Sequence, residues 1–128
     1  VEKVAALHGL ALGAAAKAGD RRCKLFCANA EDVLCADGAL ASEDVLFAYS
    51  SSFASEGPYL SDLSVTCGTC LRVGTLVVTT DKQLASVDGA WSFRLVDTQE
   101  GPSSETGGSS VGYVWEVEQS RRGGSIQL

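Results

Sequence analysis

Methionine is absent from this sequence, and histidine, asparagine and isoleucine occur once each, as His8, Asn29 and Ile126. A single histidine leaves one imidazole for any Ser-His-Asp or Cys-His mechanism. His8 lies in an Ala-rich stretch, where a structural or surface role is the expectation. Two prolines beside 14 glycines exclude collagen, a Pro-rich linker and wholesale disorder. The apolar stretch Val4–Ala16, interrupted by His8, is too short to span a bilayer, so no membrane crossing is expected. Led by Lys3 and closed by Ala14-Ala15-Ala16, it imitates a secretory signal, but a retained core helix is the reading adopted. A net charge of −6 argues against nucleic acid as a partner. Five cysteines fall below the density of a small disulfide scaffold, and their odd number leaves at least one thiol unpaired. That usage favours a soluble protein in a reducing intracellular compartment, with secretion as the alternative.

What is present is the balance of an ordinary folded domain: 128 residues, 45% hydrophobic and 20% charged. A chain of this size buries roughly two thirds of its unfolded surface and needs no metal or disulfide merely to fold. The expected organisation is one compact domain over 1–128: helical over 1–30, an acidic connector over 31–60, and an antiparallel sheet over 61–128. Because it begins at Val1 and contains no methionine, the chain reads as a processed product or a domain excised from a larger protein.

Charge divides the sequence sharply. Residues 1–30 carry five bases and two acids, net +3. Residues 31–66 carry seven acids (Glu31, Asp32, Asp37, Glu43, Asp44, Glu56 and Asp62) and no base, net −7. The remainder is net −2. Attraction between the basic and acidic parts of one fold explains this pattern. That internal pairing is the default reading, and a partner surface made by the acidic third is the sharper one.

Helical spacing of Val4, Leu7, Ala11, Ala14 and Ala15 predicts a first helix, stopped by Gly19. Asp20 to Ala28 predicts a second. Glu31-Asp32-Val33-Leu34 then returns as Glu43-Asp44-Val45-Leu46, twelve residues later, as a hairpin or a pair of short helical turns. Leu63, Val65 and Cys67 alternate with polar residues and predict a strand. Further strands are expected within Cys70–Thr80, over Leu84–Val87, around Trp91–Leu95 and Tyr113–Val117, and over Ser125–Leu128. Asp88-Gly89 is a hairpin signal. Gln99 to Gly112 reads as a Ser/Gly-rich loop. The predicted fold is therefore α+β: one or two N-terminal helices packed on a mainly antiparallel sheet of about five to six strands. Trp91, Phe93, Tyr113 and Trp115 should be buried by that packing.

Cys67-Gly68-Thr69-Cys70 is the most specific local feature. A tight Gly turn between two strands would let both thiolates reach one tetrahedral metal. Cys23 and Cys27, one helical turn apart, would complete a structural zinc site, with Cys35 or His8 as substitutes. Ordinary buried or surface thiols are the default against which that site is weighed. A redox dithiol fits less well, since such motifs open a helix and a strand is expected here. Glycine-rich 107–112 lacks the Lys-Ser/Thr ending and following helix of a phosphate loop. The leading functional expectation is a non-enzymatic protein-binding or regulatory module acting through the acidic region 31–66. The alternatives are a small cysteine-dependent enzyme or redox protein using Cys67 or Cys70, and a structural subunit of a larger assembly.

Overall fold

A computed structural model of the chain describes residues 5–19, 30–35, 44–104 and 107–124. The chain divides into two compact units, Val1–Ala39 and Leu40–Leu128. In the first, helix α1 spans Ala5–Ala18, carries Lys17 in its last turn and buries none of its residues. Its Ala-rich composition is reason enough for a helix, because alanine loses least on helix formation. Gly19 ends it in the left-handed region (φ 68°), its N–H donating to the Ala16 carbonyl at 3.1 Å. A short helix α2 follows at Ala30–Leu34. The helix expected over Asp20–Ala28 and the strand expected over Ser125–Leu128 lie outside the described residues.

The second unit runs β1 (Val45–Ala48), α3 (Ser61–Cys70), β2 (Leu76–Thr80), β3 (Ser92–Pro102), β4 (Ser109–Gln119) and a short α4 (Arg121–Gly124). Its strands form one sheet in the order β1-β2-β4-β3. The α+β class holds, but the sheet has four strands and is mixed. β1 pairs parallel with β2, while β2–β4 and β4–β3 are antiparallel. Parallel neighbours need a long crossover, and α3 supplies it. The expected strand over 61–67 is therefore a helix.

The reason lies in what that helix buries. Its inner face is Ser64, Cys67, Gly68 and Cys70, small rather than apolar. Ser64, Thr66 and Thr69 satisfy their hydroxyls on carbonyls one turn back, at Leu60, Asp62 and Val65 (2.6, 3.1 and 2.8 Å). Ser64 Oγ also accepts the Ala85 N–H at 2.8 Å, fastening the helix to the segment before β3. Gly68 lies against the Trp91 ring, where an added Cβ would sit 2.3 Å from two ring carbons. Only glycine permits that approach.

The core gathers Trp91, Phe93, Trp115, Val77 and Val117 with Leu60, Leu71, Leu84 and Cys67. Three of the four aromatics expected to be buried are so, and Tyr113 is half-buried. Trp115 donates its indole N–H to Thr79 Oγ1 at 3.1 Å, and the Thr79 hydroxyl in turn donates to the Lys82 carbonyl at 2.7 Å. Trp91 donates to the Ala85 carbonyl at 3.1 Å. No polar side-chain atom of the described residues is buried without a partner.

Asp88-Gly89 forms the expected turn, with Gly89 at φ 76° and Val87 bridged to Trp91. The strands that follow are longer than the alternation implies. Residues 99–102 and 109–112, expected as loop, continue the β3–β4 ladder up to the pair Pro102↔Ser109.

Candidate interaction site

The exposed aromatic side chains of the described residues fall in one stretch. Phe47, Tyr49, Phe53 and Tyr59 are all exposed, together with Val45 and Val65, within the acid-only segment 31–66. β1 is the centre of that stretch, and its geometry follows from its register.

Strand residues alternate between faces. Val45 pairs with Leu76, which pairs with Glu116 and, through it, Arg94. Phe47 pairs with Val78, then Val114 and Asp97. These residues share the sheet face opposite Val77, Thr79, Trp115 and Val117, which are buried. Val45 is 55% exposed and Phe47 63%. Leu76, Val78 and Val114 are half-buried. The far side of this face is charged: Arg94 reaches Glu116 and Glu118, each at 3.4 Å.

The same register orients the backbone of β1. Leu76 donates its N–H to the Asp44 carbonyl at 3.3 Å. In a parallel ladder that turns the backbone of Leu46 and Ala48 inward to β2 and leaves the N–H and C=O of Val45 and Phe47 pointing outward. Among the described residues no strand pairs with β1 on that side.

A polar clasp pins the chain just after β1. Ser50 and Ser51 donate their N–H groups to Thr80 Oγ1 at 2.9 and 3.1 Å, and Ser50 Oγ donates to the Thr80 carbonyl at 2.9 Å. Asp81, at φ 62°, completes it. One carboxylate oxygen accepts from Ser51 Oγ at 2.6 Å; the other accepts from Ser110 Oγ and the Val111 N–H, both at 2.8 Å. Those hydrogen bonds, Ser51 first, then Val111 and Ser110, hold the Asp81 carboxyl below its ordinary pKa. Lys82 Nζ donates to the Phe53 carbonyl, bracing the next turn. The clasp joins the end of β1 to the ends of β2 and β4 and so fixes where β1 stops.

The cysteines are arranged differently from the expected knuckle. Cys67 and Cys70 lie on the last turns of α3 and not at a tip between two strands. Cys67 is fully buried and keeps its thiol, which burial pushes up to about 12. Cys35 and Cys70 are disulfide-bonded, and a sulfur in a disulfide offers no thiolate to a metal. Cys23 and Cys27 lie outside the described residues. His8 is half-exposed on α1. Among the described residues, no three His, Cys, Asp or Glu side chains stand together as a metal site. A desolvated thiol near the C-terminal end of a helix is the opposite of an activated nucleophile, since neither burial nor the helix dipole favours its thiolate.

Gly108-Ser109-Ser110-Val111-Gly112 has the spacing of a hydrolase nucleophile elbow, but from Ser109 onward it is the start of β4 and not a strand-to-helix turn. Its central Ser110 already donates to Asp81, so the geometry is that of a clasp. The position of β1 at the end of the sheet, and the clasp behind it, escape a reading of the sequence. Their only local signal is the absence of charge in Val45–Ala48 and the hydroxyl run Ser50-Ser51-Ser52. No family model, curated protein or solved structure matches this chain.

Proposed function

We propose that this protein is a non-enzymatic binding module that takes another protein through the surface of residues 44–65. The single observation that carries this reading is the coincidence of exposed aromatics with an acid-only stretch. Phe47, Tyr49, Phe53 and Tyr59 stand exposed in a segment that carries Asp44, Glu56 and Asp62 and contains no Lys or Arg of its own. Aromatic side chains contribute most of the energy at protein interfaces, and an excess of acids selects and steers a basic partner. Disulfide-bonded Cys35 and Cys70 favour an oxidising compartment over the reducing one that the cysteine count alone favours. Among the described residues, no helix is long and apolar enough to cross a membrane.

The test is selection from a random peptide display library on the immobilised chain. Basic sequences should be enriched, and enrichment should fall when salt is raised from about 50 to about 500 mM, where the screening length shrinks from more than 10 Å to a few. The double variant Glu43→Lys, Asp44→Lys should lose the enrichment while keeping its melting temperature. Enrichment of nothing, or of sequences indifferent to the double reversal, would contradict the reading.

A further inference from the structure

We propose that the partner enters as an extended basic peptide that pairs with the outer edge of β1 and adds a fifth strand to the sheet; this rests on the binding reading above. Three observations converge on that edge.

The first is the backbone. Val45 and Phe47 turn their N–H and C=O groups away from β2, as the parallel register and the Asp44–Leu76 hydrogen bond require. An added strand would take up those groups, the mode of recognition in which main-chain bonds supply affinity and alternate side chains supply selectivity.

The second is the side chains of the same two residues. Val45 and Phe47 are exposed on the open face and begin the cross-strand rows Val45–Leu76 and Phe47–Val78–Val114. Alternate residues of an added strand would extend both rows and cover the two most exposed positions in them.

The third is the contrast with the other edge of the same sheet. β3 carries Arg94, Asp97 and Glu100, ends in Pro102, and breaks register twice, at Ser92/Phe93 and Leu95/Asp97. Charges, proline and bulges are the devices that keep an edge from pairing. β1 has no charge, no proline and no bulge; its one restraint is a length of four residues.

Charge selects the occupant. Asp44 immediately precedes β1, and Glu56 and Asp62 follow it, in a segment with seven acids and no base. A second copy would bring two such segments together on chains that are each −6. A strand alternating apolar and basic residues gains from the same field. With two outward residues on β1, the contact is at the small, transient end of interfaces.

The experiment is amide exchange by NMR on the isotope-labelled full chain. The probe is a synthetic nine-residue peptide alternating valine or threonine with lysine. An N-methylated twin lacks the pairing donors, and an acidic twin carries glutamate for lysine. Saturating lysine peptide should slow exchange at Val45 and Phe47 by at least about tenfold, the sign of new main-chain hydrogen bonds. Leu46 and Ala48, already turned to β2, should not change, and neither twin should act. The variant Val45→Pro removes one outward donor at an edge position that tolerates proline, and should weaken binding at least about tenfold. Overturning results are three: no slowing at Val45 and Phe47 with the lysine peptide; equal slowing with either twin; or slowing without peptide that grows with protein concentration, which would make a second copy the occupant. If the display library enriches basic sequences while Val45 and Phe47 stay unprotected, strand addition fails and the binding reading stands. If the library enriches nothing, the binding reading fails first.

Discussion

The two edges of this sheet are built to opposite specifications. β3 is long, charged along its length, irregular at two places and closed by Pro102. β1 is four residues long and wholly apolar, and it leads into exposed Tyr49. Both edges hang from the same central pair: Val77 on β2 and Trp115 and Val117 on β4, all buried. The difference is therefore not one of core support. A long edge left bare would be an aggregation site, and β3 is equipped against it. The edge without those devices lies inside the most acidic segment of the chain, where charge can restrict which strands approach. The contrast teaches that an unguarded edge is read best against a guarded one in the same molecule.

The largest expected effect tests the shared support. Trp115→Ala should cost on the order of 3–5 kcal/mol, because it removes a buried ring and the N–H that Thr79 Oγ1 accepts. Phe47→Ala, on the exposed edge, should change stability by no more than about 0.5 kcal/mol. Urea denaturation of both variants checks the pair. Similar losses would mean that β1 is part of the core and that the contrast is false.

A second variant would erase the contrast from the other side. Arg94→Val with Asp97→Val strips β3 of charge near its bulge and removes the Arg94 pairs with Glu116 and Glu118. Exposed pairs of this kind are worth about 0–1 kcal/mol, so stability should fall only slightly. Self-association should rise clearly, as concentration-dependent light scattering in the variant and not in the parent. A variant that stays monomeric would show that the charges on β3 guard nothing.

The smallest effect concerns the clasp that ends β1. Asp81 has a folded pKa held below its ordinary value, chiefly by the Ser51 hydroxyl. Its contribution is fully present above the unfolded value near 3.9 and is lost as pH falls through the lower folded one. The stability difference between the parent and Asp81→Asn should therefore be constant from neutral pH to about 4.5 and shrink below about 3.9. Asparagine tolerates the left-handed backbone at this position, so strain does not confuse the comparison. Melting curves across that range check it; a difference that grows on acidification would contradict the hydrogen-bond account.

The legible and illegible parts of the sequence differ for physical reasons. Asp88-Gly89 is a turn because Gly89 needs a positive φ, and that need is written in the residue. The alternation of Tyr113, Trp115 and Val117 marks β4 because one face of it is buried. The helix α3 is hidden because its buried face is Ser64, Cys67 and Gly68, which gives no apolar stripe, while Leu63, Val65 and Cys67 imitate a strand. Ser64, Thr66 and Thr69 were the available clue, being residues that can satisfy a hydroxyl within a helix. The echo is more instructive. Asp32-Val33-Leu34 is helical, whereas Val45-Leu46 after Asp44 is strand. Local sequence does not decide between them; for the second copy, pairing with β2 does. The acidic surface was legible as charge, whereas the edge within it depends on a parallel pairing that no local pattern announces. The compartment expectation came from counting cysteines, and counting could not show that Cys35 and Cys70 are oxidised.

The central claim is that the outer edge of β1 is open. Amide hydrogen exchange of the free chain, in dilute solution and without any peptide, measures it residue by residue. Val45 and Phe47 should exchange within about tenfold of an unstructured peptide, while Leu46 and Ala48, held by the β2 ladder, should be slower by at least about a hundredfold. Four equally protected amides would show that something already covers the edge, and would contradict the account.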